Sequence, residues 1–128
     1  MPNDAFLGLD VGTSGVKAIL VSAGGTVVAS ATTPLALSTP HPGWAEQHPE
    51  DWWSATVQSI RDVLAQRPDA SVAAIGISGQ MHSSVFLDRA GRVVRPALLW
   101  CDGRTTAECA EITARAGGFC GKAARHAR

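Results

Sequence analysis

The stretch Leu7-Gly8-Leu9-Asp10-Val11-Gly12-Thr13-Ser14-Gly15-Val16-Lys17 decides how this chain folds. Apolar residues flank it, Ala5 to Leu9 before and Val16 to Ser22 after. The turn between them is short and rich in residues that tolerate tight backbone geometry, so the reading is two strands joined by a hairpin. Ala23-Gly24-Gly25 is a second such turn, and Thr26 to Thr33 mixes Val and Ala with Ser and Thr. A third strand there completes an antiparallel meander.

The glycines of this stretch therefore lie between two strands. A Walker A loop needs a Gly-Lys-Ser/Thr ending that opens a helix, and a dinucleotide fingerprint lies between a strand and a helix, so neither applies. A strand-ending carboxylate beside Gly, Thr and Ser can instead serve a phosphate. Backbone N–H groups and hydroxyls are offered to the phosphate oxygens, and the Asp10 carboxylate can hold a hydrated Mg²⁺. An ordinary glycine-rich hairpin is the competing reading.

Moving outward, residues 34–49 hold four of the seven prolines and are expected to be an irregular connection. Pro49 suits the first position of a helix, and Glu50 and Asp51 place negative charge at its positive end. Trp53, Val57, Ile60 and Leu64 then recur at helical spacing and are expected to cover the sheet, with Pro68 ending the helix. Val72 to Ser78 is apolar at nearly every position and follows a helix, which predicts a parallel strand buried on both faces at the centre of the sheet. Ser84 to Leu87 and Arg92 to Val94 flank Asp88-Arg89-Ala90-Gly91 as a hairpin, and Ala97 to Trp100 is a further apolar stretch. Thr105 and Glu108 form a capping box for a last helix running to Arg115, which Gly117-Gly118 would stop. Residues 116–128 are small, basic and without period, and no structure is assigned to them.

Composition narrows the function classes. With 128 residues, 45% of them hydrophobic, the chain fits one globular domain or part of one. Eleven basic residues balance eleven acidic ones, so no global field draws in nucleic acid or an anionic membrane. Three cysteines, Cys101, Cys109 and Cys120, contain no Cys-x-x-Cys pair, which argues against a disulfide framework or zinc ribbon and for a reducing, cytoplasmic setting. No apolar run approaches the roughly 20 residues of a membrane helix, and Asp4 and Asp10 stand where a signal peptide wants positive charge.

Two more clusters carry chemistry. Ser78-Gly79-Gln80-Met81-His82-Ser83 follows the expected parallel strand, where ligands of open α/β sheets bind, and Gln80 and His82 offer the mixed donors and acceptors that suit sugar hydroxyls. Met81 would by default be packing. In Leu99-Trp100-Cys101-Asp102-Gly103-Arg104, the Asp and Arg form either a surface ion pair in a turn or a means of fixing hydroxyls.

With Pro42-Gly43-Trp44-Ala45-Glu46-Gln47 between the first two clusters, the set resembles the N-terminal part of the FGGY family of carbohydrate kinases. The likeness is greatest to the branch acting on D-xylulose. It rests on GLDVGTSGVKAIL, HPGWAEQHPEDWW, GISGQMH and RPALLWCDGR, and covers about residues 5 to 115. Glycerol kinases of the family carry Arg-Glu where this chain has Met81-His82, which points to a ketose.

The resemblance implies an α/β, actin-like (ribonuclease H-like) domain over residues 1–115, with helices packed on a mixed sheet that starts with the meander. It implies ATP phosphates held by Gly12, Thr13, Ser14, Gly15 and Lys17, with Mg²⁺ held through water by Asp10. D-xylulose would meet Gln80, Met81 and His82, with Trp100, Asp102 and Arg104 nearby. Ser83 departs from the glycine that relatives often have. The family's second domain, which supplies the adenine pocket and the proton-accepting aspartate, is not in this sequence, so the chain alone is expected to be inactive. A homodimer of the intact protein is left open, and the 116–128 tail reads as a frameshifted or prematurely ended frame. The alternative readings are a non-catalytic sugar- or nucleotide-binding remnant, and a kinase for another ketose or polyol.

Overall fold

The computed structural model describes residues 4–117. Strands β1 (Asp4–Val11), β2 (Gly15–Ser22) and β3 (Val27–Pro34) form the expected antiparallel meander. A two-residue strand β4 (Glu46–Gln47) leads into helix α1 (Pro49–Ala65), which is followed by β5 (Ser71–Gly79). β6 (Ala97–Leu98) pairs antiparallel with β4, and α2 (Thr106–Arg115) closes the order. The main sheet runs β3-β2-β1-β5, with β5 parallel to β1.

Alternation along the strands sorts the two faces of this sheet. Ala5, Leu7 and Leu9 of β1 and Val16, Ala18 and Leu20 of β2 are buried on one face, with Val63 of α1 against them. Val16, Leu20 and Val63 are fully enclosed, each worth about 1.5–3 kcal/mol relative to exposure. Phe6, Asp10 and Lys17 point to the opposite face and are exposed.

α1 begins where the sequence indicates. Pro49 is at its start, Glu50 and Asp51 lie in the first turn, and the His48 ring caps the N–H of Glu50. Its inward face matches the expected one in part: Ile60 and Leu64 pack half-buried against the core, while the fully buried positions were not the expected ones. The buried positions are Ala55, Ser59 and Val63, and Trp53 is 68% exposed. Small residues let the helix approach the sheet closely, and the Ser59 hydroxyl donates to the Val16 carbonyl (2.8 Å) and pairs with the Thr33 hydroxyl (2.7 Å). A pattern scored on large apolar residues cannot see a serine that buries itself by bonding.

β5 also corrects the expectation. It is parallel to β1, but it is the edge strand of the four, and all nine of its residues are exposed, Ile77 at 76%. α1 lies over β2 and β3 and barely reaches β1, so among the described residues nothing covers β5. The apolar run records what the strand is suited to bury.

The 34–49 connection is less irregular than its prolines suggest, since β4 pairs with β6 and Ser38 bridges to Glu46. The Asp88–Gly91 turn is present, with Leu87 bridged to Val93 and the Asp88 carboxylate accepting from the Ala90 and Arg92 N–H groups. The capping box is not formed. Thr105 makes no side-chain cap bond, and none of α2 is buried. Gly117 ends α2 in the left-handed region at φ 66°. The expected basic tail lies outside the described residues from 118 onward, as does Cys120. Among the described residues no helix is long and apolar enough to cross a membrane.

The helix face gives a direct prediction. Ser59→Ala removes the side-chain partner of the buried Val16 carbonyl and of the half-buried Thr33 hydroxyl and should lower stability by about 1–2 kcal/mol in denaturant unfolding. Trp53→Ala should change it by less than about 0.5 kcal/mol, as exposed substitutions do. The reverse order would place Trp53 on the buried face.

Candidate functional site

The hairpin between β1 and β2 is closed by the Gly12 N–H donating to Gly15 O (3.0 Å). Gly15 has a packing reason for its identity, since a Cβ there would stand 2.9 Å from Thr33 O of the neighbouring strand. Asp10 and Lys17 face each other across the β1–β2 ladder, both exposed. Among the described residues the Asp10 carboxylate enters no hydrogen bond or ion pair.

The parallel pairing carries β5 to the same place. Asp10 is level with Ser78 and Val11 with Gly79, and the Gln80 N–H continues the pairing onto Val11 O (2.9 Å). Gly79 is required by this approach, because a Cβ would lie 2.9 Å from the same Val11 O. The chain then turns sharply at His82, a non-glycine residue with φ 65°. Backbone held in that region clusters at ligand sites, where surrounding structure must enforce it.

Side chains join the two segments. The Thr13 hydroxyl donates to Gln80 Oε1 (3.0 Å) and accepts from Trp100 Nε1 (3.2 Å). Gln80 Nε2 donates to Gln47 Oε1 (3.2 Å), and Gln47 Nε2 donates back to Thr13 O (2.8 Å). With its proton given to Gln80, the Thr13 side chain faces the 80–82 segment. What the turn can offer a phosphate is its backbone N–H groups other than that of Gly12, the exposed Ser14 and the Lys17 ammonium.

A concavity of about 450 Å³ is lined by Asp10, Gly12 and Thr13 on one side and by Gly79 to His82 and Trp100 on the other. Part of the expected phosphate turn, Gly12 and Thr13, thus shares one hollow with the expected sugar segment, whereas Ser14 and Gly15 do not line it and Lys17 lines a separate concavity of about 590 Å³ that Asp10 also borders. A second hollow of about 360 Å³ begins at His82 and Trp100 and includes Asp102. Met81 is 66% exposed on the rim of the first. Ser83 Oγ is enclosed and has no hydrogen-bond partner among the described residues.

Asp102 and Arg104 form no loose surface pair. The Asp102 and Arg104 side chains are only 3% and 14% exposed. The Arg104 Nε donates to both Asp102 oxygens (2.9 and 3.0 Å), and its Nη2 reaches Asp102 (2.7 Å) and Glu46 (2.9 Å). Its guanidinium stacks 3.6 Å over Trp44, and Asp102 also accepts the Ala45 N–H (2.7 Å). These bonds clamp residues 43–46 to 97–104 and shape the wall of the hollow. The Arg104 guanidinium, helped by the Ala45 N–H, holds the Asp102 carboxyl well below the usual carboxylate range against the opposite push of burial.

Gln47, 3% exposed, was given no role from sequence, and neither were Trp52 and Glu46. A neutral amide in a proline-rich connection carries no periodic signal that would single it out.

Residues 5–119 match the N-terminal domain of the FGGY family of carbohydrate kinases. The xylulose kinase of Escherichia coli (strain K12) is 49% identical over 110 residues, 86% of this chain and 23% of the relative. That of Klebsiella pneumoniae is 50% identical over 104 residues, 81% and 22%. The xylulose kinase structure from Rhodospirillum rubrum superposes with a TM-score of 0.83 at 39% identity, over 87% of this chain and 23% of that one. The fold is that of the actin-like kinases, as expected. The chain spans under a quarter of the length of the curated relatives it matches.

The clamp predicts a pH signature. A depressed folded-state pKa contributes stability that is present above the unfolded value and lost as pH falls through the folded one. Asp102→Asn should therefore lower the melting temperature at pH 7, and the gap to wild type should close as pH drops below about 4. A gap that persists unchanged at the acid end would contradict the charged clamp.

Proposed function

The chain belongs to the FGGY family of carbohydrate kinases, and from that premise we propose that it is the N-terminal part of an ATP-dependent kinase that converts D-xylulose to D-xylulose 5-phosphate. The observation that carries the reading is the single hollow in which the Asp10–Thr13 turn faces Gln80, Met81, His82 and Trp100. Phosphoryl transfer depends on positioning and electrostatics more than on covalent help from the protein. A phosphate-holding turn beside a sugar-holding segment is the minimum geometry for it.

In this reading the turn's N–H groups, Ser14 and Lys17 bind ATP phosphates, and the free Asp10 carboxylate holds Mg²⁺ through water. A single exposed carboxylate fits an ion that keeps most of its waters and takes its other ligands from phosphate. The metal, when bound, neutralises charge on the phosphate oxygens. His82 and Gln80 bind ketose hydroxyls, and Trp100 provides a flat wall against the sugar.

Asp10 lines the site's own hollow, where this reading assigns it to Mg²⁺, and Asp102 lines the neighbouring one. Asp102 is a poor proton acceptor, since its charge is locked to Arg104. The group that takes the proton from the sugar hydroxyl is therefore assigned outside the described residues, and the 128-residue chain alone should release no ADP above background. General-base help is worth about 10²–10⁴-fold, and the loss of the facing wall removes positioning as well.

A transplant tests the reading. Residues 5–115 replacing the corresponding segment of the E. coli xylulose kinase should give an active enzyme. In it, His82→Ala should raise KM for D-xylulose about tenfold with KM for ATP unchanged, and Asp10→Asn should lower kcat by about 10²-fold or more. A folded but inactive transplant, or equal effects of His82→Ala on both substrates, would contradict it.

A further inference from the structure

Gln47 occupies a place that leaves its side chain no freedom. It is the last residue of β4, opposite the buried Ala97, and His48 after it caps α1. Its amide is saturated. Nε2 donates to Thr13 O (2.8 Å) and Ala36 O (3.1 Å), while Oε1 accepts from Trp52 Nε1 (2.9 Å) and Gln80 Nε2 (3.2 Å). Two donors and two acceptor sites are all that a glutamine amide has. Rotating it by half a turn would set its oxygen against two carbonyls and its N–H groups against two donors, so one orientation is enforced.

Three of the bonds at this junction close a ring: Thr13 hydroxyl to Gln80 Oε1, Gln80 Nε2 to Gln47 Oε1, and Gln47 Nε2 to Thr13 O. Each amide donates in the same sense around it, as mutually polarising networks do. Because Gln47 fixes its own amide through Trp52 and Ala36, it also fixes which way the Gln80 amide faces. Gln80 then keeps one N–H and one carbonyl lone pair for a ligand in the hollow.

We propose that Gln47 is a positioning residue that locks the Gln80 amide and the phosphate turn into one unit, so that a sugar hydroxyl held at Gln80 is set in register with a phosphate held at the turn. The proposal rests on the sugar-kinase reading above. It differs from a purely structural role for Gln47, which would fasten the 34–49 connection to the sheet and nothing more.

The test follows backbone amide signals of the isotope-labelled 128-residue chain during titration with D-xylulose. In wild type the sugar should shift residues 80–82 and, through the ring, residues 13–15. In Gln47→Leu the 80–82 signals should still shift, with affinity about tenfold weaker, while the 13–15 signals stay in place. Shifts in both segments at wild-type affinity in the variant overturn the positioning role and leave the sugar-site reading intact. No shift at 80–82 in wild type removes that reading and this inference with it. Should Gln47→Leu lose its dispersed spectrum, Gln47→Glu carries the comparison. It keeps the volume but turns a carboxylate oxygen toward the two carbonyls, and acidification, which returns one donor, should restore the 13–15 response. A Gln47→Glu response that is full at neutral pH, or absent at both, overturns the proposal.

Discussion

The parallel pairing of β1 with β5 is the constraint on which the site depends. Through it Asp10 stands level with Ser78 and Val11 with Gly79, and both strands end at one edge of the sheet. Residues that lie 67 apart in the chain, Thr13 and Gln80, then meet within a hydrogen bond. Ligands of open α/β sheets gather beyond strand ends for this reason: two chain segments diverge there and leave a hollow whose backbone groups are not consumed by the ladder. The missing Cβ at Gly79 is what allows the ends to come this close.

Around that edge the structure is arranged in two fastenings. One is the glutamine junction, in which Gln47 ties the proline-rich connection, the first turn of α1 and the hairpin together. The other is the Asp102–Arg104–Glu46 clamp under Trp44, which sets residues 97–104 against residues 43–46 and so holds Trp100 beside Thr13. Both fastenings are buried or nearly so, and their polar atoms are matched, which is the condition under which buried polar groups rigidify a site instead of weakening it. Trp44 and Glu46 thereby contribute to the hollow without lining it.

Much of this was legible in the sequence because it follows from local rules. The meander came from two glycine-rich turns between apolar runs, α1 from Pro49 and the acid pair after it, and the two segments that adjoin at the hollow from their position at strand ends. Ile60 and Leu64 of the apolar pattern do pack against the core, but Trp53 does not, and a pattern of large apolar residues passes over Ser59, which is buried through its hydrogen bonds. β5 was expected at the centre because its apolar run marks a strand made to be covered, whereas its cover is not among the described residues. Gln47 was invisible because its importance lies in four partners distributed from residue 13 to residue 80, and no window along the chain contains them. Asp102 and Arg104 were seen as a pair, but the sequence could not show that Glu46, Trp44 and Ala45 complete their environment.

In the proposed function, nucleotide phosphate and sugar meet in the one hollow between the hairpin and the 79–82 segment. Mn²⁺ in place of Mg²⁺ reads this directly, since a bound paramagnetic ion weakens the signals of nearby amides. With Mn²⁺-ATP and D-xylulose added to the isotope-labelled 128-residue chain, the greatest loss is expected at residues 10–15 and a lesser loss at 80–82, with the α1 amides unaffected. Loss centred elsewhere, or at residues 10–15 with none at 80–82, would contradict it.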